Sequence, residues 1–219
     1  MGKDMVVGAL LDAGCVGVVK PFFDMASWKI FKSGMLSPFY VDGRKLWADP
    51  WGRQVALQEL INVARTECGR GVVLVGMATG GIPPAAMAAQ EGSMPFAYIR
   101  GVEKGHGTSK LIEGMDVRGR NVLLVQDVAT LATTSLPAIR VLRKAGAEVA
   151  GCFSFFTYAF PQTIEGFRKE GVKFFFSTSL DSVVVEMGSR GMLQPDEAEY
   201  LLKDWREAPP MKEGIPPLW

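Results

Sequence analysis

Histidine is almost missing from this chain. His106 is the single one in 219 residues, which excludes a histidine-built metal cage. Cysteine is scarce as well. Cys15, Cys68 and Cys152 stand alone, without the paired spacing of a zinc site or disulfide framework, and read as small buried hydrophobes in a reducing compartment. Neither sign of charge is in excess: 24 basic against 23 acidic residues leave a net charge of +1, which argues against nucleic acid as the main partner. Any anionic ligand must then be met by a local cluster of cations.

Long unbroken apolar runs are lacking too. Residues 71–90 carry no charge, but Gly80-Gly81 and Pro83-Pro84 interrupt them, and Pro161 interrupts residues 149–164. Asp12 cuts short the apolar run near the N-terminus. No membrane partner and no targeting segment are expected, and the chain reads as a soluble cytoplasmic protein. With 48% hydrophobic and 21% charged residues it can bury a sizeable core, and residues 1–219 read as one domain. There is no internal repeat, and no linker precedes the Pro-rich tail at 209–219.

Periodicity organises the rest. A helix is expected near residues 4–13, then short strands at 28–31 and 38–42. Asp49 caps a helix that has Pro50 at its first position, and Val55, Leu57, Leu60, Ile61 and Ala64 form its apolar face. Strands at 72–75, 96–99, 122–125, 150–156 and 172–176 alternate with helices at 83–90, 135–145 and 162–170, and helices at 181–189 and 195–207 follow. Such alternation predicts an α/β fold with a doubly wound, mostly parallel sheet, whose ligands sit at the carboxyl ends of the strands.

Three segments after these strands carry the chemistry. Gly76 to Pro83 is glycine-rich, so its backbone N–H groups can approach an anion. Residues 100–114 hold four glycines, Arg100, Lys104, Lys110 and His106, the makings of a cationic lid over a polyphosphate. The run 122–125 ends on Gln126-Asp127 and turns through hydroxyls into a helix. There Asp127 suits sugar hydroxyls or a hydrated magnesium ion. Thr130, Thr133, Thr134 and Ser135 suit phosphate oxygens, with helix capping the competing role for Thr134 and Ser135.

Together these residues resemble orotate phosphoribosyltransferase, over nearly the whole chain. Phe31-Lys32-Ser33-Gly34 and Ser37-Pro38-Phe39-Tyr40-Val41-Asp42-Gly43-Arg44 are similar to that family's early substrate segment. Arg100, Lys104, His106 and Gly107, running on to Ile112-Glu113-Gly114, match its lid. Gln126 to Ser135 corresponds to its phosphoribosyl-diphosphate loop. Phe156-Thr157-Tyr158-Ala159-Phe160-Pro161 resembles a segment of one bacterial branch.

The resemblance implies a type I phosphoribosyltransferase fold with a small hood, from residues 1–45 plus C-terminal elements. It implies a homodimer with shared sites, and magnesium-dependent transfer of ribose 5-phosphate from 5-phosphoribosyl 1-diphosphate to N1 of orotate. The implied catalytic residues are Arg100, Lys104, His106 and Asp127. Donor contacts would come from these four, from Thr79 and Gly80, and from Gln126, Val128, Ala129, Thr130, Leu131, Ala132, Thr133, Thr134 and Ser135. Orotate would meet Lys32, Phe39, Tyr40, Arg44 and Thr130, with Arg44 paired to its carboxylate. For Phe39 and Tyr40, core filling is an equal reading. Magnesium would be held indirectly, Asp127 reaching it through the diphosphate and ribose.

The chain departs from the family pattern at three places. Gln126 replaces the first of two adjacent acids, Ala132 and Thr133 stand where glycine is usual, and Gly101 replaces a lysine. These departures sustain a second reading, a relative that binds the donor as a sensor without fast turnover.

Overall fold

The computed structural model describes residues 3–31, 33–100 and 111–212. The chain opens with helix α1 (Lys3–Asp12) and two small hairpin-like sheets. In one, β1 (Val16–Val18) pairs with β4 (Phe39–Val41); in the other, β2 (Lys29–Ile30) pairs with β3 (Leu36–Ser37), both antiparallel. Helix α2 (Pro50–Glu67) starts as expected. The Asp49 carboxylate accepts from the Gly52 N–H, Pro50 fills the first turn, and Val55, Leu57, Leu60, Ile61 and Ala64 are all buried.

The remaining strands form the central sheet: β5 (Val73–Met77), β6 (Phe96–Ile99), β7 (Ile112–Gly114), β8 (Asn121–Ala129), β9 (Glu148–Thr157) and β10 (Phe174–Ser179). Their order is β10-β9-β8-β5-β6-β7, parallel throughout except for β7, which runs antiparallel to β6. This is the expected α/β, mostly parallel, doubly wound architecture. From β5 the chain builds outward through β6 and β7 on one side and through β8, β9 and β10 on the other. The order therefore reverses between β5 and β8, and a crevice opens there at the carboxyl ends of the strands.

Alternation along the strands feeds two apolar layers. Leu74, Leu123, Val125, Phe153 and Phe155 face α1, α2 and α3 (Ile82–Gly92). Val73, Val75, Val122, Leu124 and Cys152 face α4 (Ser135–Lys144) and α5 (Pro161–Lys169) through Ile139, Leu142 and Phe167. Each fully buried Leu, Val or Phe contributes roughly 1.5–3 kcal/mol, so both faces are needed to hold the sheet.

The chain then continues through α6 (Leu180–Ser189) and α7 (Pro195–Tyr200), which runs on as a π-turn at Leu201–Trp205. That C-terminal part is stitched to the early hairpin. Trp205 Nε1 donates to the Leu36 carbonyl at 2.8 Å, Leu36 N donates to the Pro210 carbonyl at 2.8 Å, and Lys212 N donates to the Gly34 carbonyl at 2.9 Å.

Three expectations need correcting. The strand expected at 122–125 runs on to Ala129, because β9 continues beside it and pairs Val128 with Phe156 and Ala129 with Thr157. β1, β3 and β7 were not expected. Each is two or three residues long and owes its form to its partner strand, leaving too short a pattern to read. The strand expected at 172–176 lies two to three residues later, since Val172 is spent closing the turn with its N–H on the Phe167 carbonyl at 3.1 Å.

Candidate active site

The switch point between β5 and β8 brings together the glycine-rich turn after β5, the end of β8 and the segment after β4. Asp127 is the centre. Successive strand residues point to opposite faces, so Gln126 and Asp127 part company there. Asp127 lies against the backbone of Gly80, where a Cβ would collide with its carboxylate, and a Cβ on Gly43 would stand 3.2 Å from the Asp127 Cβ. Glycine at both positions lets two loops close on one carboxylate. The Ala78–Thr79 peptide in the same turn is cis. Burial pushes the Asp127 carboxyl above its ordinary value, and its backbone hydrogen bonds and the Arg44 charge oppose that rise.

Around Asp127 opens a cleft of about 580 Å³, lined by Lys29, Tyr40, Asp42, Arg44 and Thr79, with Val128 beside Asp127. A larger cavity, about 700 Å³, lies at the β7 edge between Met115, Val117 and Lys144. None of the candidate residues lines it, so the smaller cleft is the one that matters for chemistry.

Beyond Asp127 the chain turns through half-buried Thr130 and buried Leu131 and Ala132 to exposed Thr133 and Thr134. Ala132 has φ 56°, the left-handed conformation expected where the family has glycine. Helix α4 begins at Ser135 with Thr134 at its cap position and no side-chain capping bond. Among the described residues the Thr133 and Thr134 hydroxyls have no hydrogen-bond partner. Of the first backbone groups of α4 only the Ser135 N–H is unpaired, since Leu136 N donates to the Ala132 carbonyl at 3.1 Å and Pro137 has no N–H; hydroxyls and N–H together suit a phosphate. Thr130 is fixed from behind, its carbonyl accepting the Thr163 hydroxyl, and the Ala129 carbonyl accepts Tyr158 N at 3.1 Å.

Several expected site residues sit elsewhere. Gln126 is 1% exposed. Its Oε1 accepts the Ser135 hydroxyl at 2.7 Å, and its Nε2 donates to the Cys152 sulfur at 3.7 Å. Neither Gln126 nor the Ser135 hydroxyl reaches the cleft, because the strand's alternation turns Gln126 inward and the hydroxyl follows it. For Ser135 this takes the hydroxyl away from both the phosphate and the cap, and leaves its backbone N–H for an anion. Phe39 is fully enclosed against Phe156 and Tyr158, so of its two readings core filling holds. Tyr40 does line the cleft.

Arg44 is exposed and already engaged. Its Nε and one terminal nitrogen donate to the two Asp42 oxygens at 2.7 and 3.0 Å, which holds the Asp42 carboxyl below its ordinary range. Arg100 lies 3.7 Å from Glu113, with its N–H on the Leu111 carbonyl at 2.9 Å. Lys32, Lys104, His106 and the tail from residue 213 lie outside the described residues.

Two charged residues of the cleft were missed. Asp42 could have been suspected from its place two residues before Arg44. Lys29 carried no signal, since it sits on a strand of two residues.

The carboxylates fit a magnesium ion only as a guest of the substrate. Among the described residues no three His, Cys, Asp or Glu side chains gather to cage a metal, and Asp42 and Asp127 alone face the cleft as acids. Two carboxylates with substrate phosphates are a usual setting for magnesium.

Residues 58–187 match the family described as the phosphoribosyl transferase domain. The chain is 34% identical over 177 residues to the orotate phosphoribosyltransferase of Phocaeicola vulgatus, covering 81% of this chain and 83% of that one. It is 31% identical over 211 residues to the protein of that name from Lactobacillus johnsonii, covering 95% and 96%. Among solved structures, orotate phosphoribosyltransferase from Aeropyrum pernix is similar with a TM-score of 0.73 at 31% identity, over 84% of this chain and 98% of that one.

Proposed function

The chain belongs to the orotate phosphoribosyltransferases, and on that premise we propose that it transfers ribose 5-phosphate from 5-phosphoribosyl 1-diphosphate to N1 of orotate. The fold is accordingly the type I phosphoribosyltransferase fold. The carrying observation is one cleft in which Asp127 sits between two glycine backbones, with an uncapped helix start and free threonine hydroxyls beyond it.

In the reaction the bond from C1 of the ribose to the diphosphate oxygen breaks, and the bond from C1 to N1 of orotate forms. The N1 proton leaves to solvent. Positive charge develops on the ribose ring meanwhile, and diphosphate departs as an anion. Asp127, half-buried where its field is little screened, favours that positive charge and accepts from the ribose hydroxyls. Thr133, Thr134 and the Ser135 N–H hold the 5-phosphate, while Thr79 and Gly80 approach the diphosphate. Arg100, Lys104 and His106 close over the leaving group and neutralise it. Tyr40 flanks the pyrimidine. Magnesium, when bound with the donor, supplies positive charge to the diphosphate, with Asp127 and Asp42 as the carboxylates within the cleft. The protein works as a cytoplasmic homodimer with shared sites; no helix among the described residues is long and apolar enough to cross a membrane.

The family assignment favours turnover over a sensing role. The test is a steady-state assay with donor, magnesium and orotate, following loss of orotate and release of diphosphate in equal amounts. Donor binding without consumption of either substrate would overturn the reading.

A further inference from the structure

We infer that Lys29 receives the carboxylate of the acidic pyrimidine and so acts as a specificity residue of this site. The inference rests on the orotate reading above. Among the described residues, the charged side chains lining the cleft are Lys29, Asp42, Arg44 and Asp127, two cations against two carboxylates. Their charges cancel, so an incoming carboxylate is attracted only if one of the cations is uncommitted. Arg44 is already paired, its Nε and one terminal nitrogen donating to the two Asp42 oxygens. Lys29 has no carboxylate partner among the described residues. Its ammonium stands 5.4 Å from the centre of the Tyr40 ring, a weak hold for an exposed lysine.

The backbone fixes this arrangement. Lys29 pairs with Ser37 across the β2–β3 hairpin, and the Ser37 hydroxyl donates to the carbonyl of Phe39, the residue before Tyr40. Trp28, immediately before Lys29, is buried with its Nε1 on the Phe22 carbonyl at 2.6 Å. Cation and ring therefore ride on one tied piece of backbone. A flat base that takes the face of Tyr40 displaces the ammonium to the edge of that base, where an acidic pyrimidine carries its carboxylate. A long flexible stem with a point charge suits this move better than a fixed fork does.

The experiment is steady-state kinetics of Lys29→Met and Lys29→Arg beside the unaltered protein, with orotate and donor varied separately. The methyl ester of orotate, which lacks the charge, serves as a competitive inhibitor. Lys29→Met should raise KM for orotate about five- to tenfold, the loss of one charge-assisted pair at a partly solvated site. KM for the donor and the inhibition constant of the ester should stay within about twofold, a change small beside a lost pair. Lys29→Arg, which keeps the charge on a stiffer head, should recover part of the orotate affinity and more than Lys29→Met retains. An active protein whose Lys29→Met variant keeps its orotate KM, or loses donor or ester affinity equally, overturns the inference. A wild-type chain that consumes no orotate overturns the reading beneath it instead, so the two failures are distinguishable.

Discussion

Asp127 and Gln126 are neighbours on one strand with opposite fates. In the proposed reaction Asp127 must ionise to favour positive charge on the ribose, yet burial raises its pKa, so its charge opposes folding at neutral pH. A group whose folded-state pKa is raised contributes its stability below the unfolded value and loses it as pH climbs through the folded value. Asp127→Asn should therefore raise the thermal midpoint at neutral pH. That gain should fade as pH falls through the raised value toward the ordinary aspartate value near ~3.9, where both states bind the proton. Melting curves across pH test this, and a gain that persists in acid would contradict it. The same variant should lose at least about 10²-fold in kcat, as expected when a preorganised charge is removed.

Gln126 bears instead on stability. Removing it strands the Ser135 hydroxyl in a closed interior, so Gln126→Ala and Ser135→Ala should each cost about 1–3 kcal/mol. The double variant should cost less than their sum by about 0.5–3 kcal/mol, the signature of a shared bond. Urea unfolding measures all three.

At the scale of elements, the loop between β8 and α4 holds a tension. Ala132 adopts φ 56° with its methyl buried, a conformation that costs an alanine about 1–2 kcal/mol. Ala132→Gly relieves that strain but loses a buried methyl worth about 0.8 kcal/mol. The net change in stability should lie within about 1 kcal/mol, because the two effects nearly cancel. Donor affinity, read by calorimetry, should rise or hold, since the loop loses nothing that faces the phosphate. A clear fall would show that the methyl supports the loop. The existence of this loop was legible in the run of small and hydroxyl residues after Asp127. Its division of labour was not, because the inward turn of Gln126 depends on β8 continuing beside β9.

At the scale of the molecule, the sheet's reversal between β5 and β8 makes the crevice, and the proposed dimer completes it. Sites shared across that dimer predict complementation. If each lid serves the partner's site, hybrids of Lys104→Ala and Asp127→Asn subunits contain one site with both lesions and one with none. Mixing them after dissociation should return activity to about one quarter of wild type, half the dimers being hybrids with one sound site in two. Sites that use their own lid would show no recovery. Lys104→Ala alone should depress turnover far more than donor affinity, if Lys104 acts on the leaving diphosphate as proposed.

The amino-acid sequence alone determined the layered α/β plan, because apolar runs buried on both faces and helices with one apolar stripe pack in few ways. It also marked the segments that meet at the site, through glycines, hydroxyls and the carboxylate of Asp127, whose residue types carry their chemistry with them. Which side chains reach the cleft was decided by tertiary structure. Strand alternation buried Gln126, core packing took Phe39, and Asp42 claimed Arg44. Lys29, on a strand too short to read, reached the cleft because its partner strand β3 leads directly into β4. Composition and spacing specify what a residue can do, while the partners of its strand settle which way it faces.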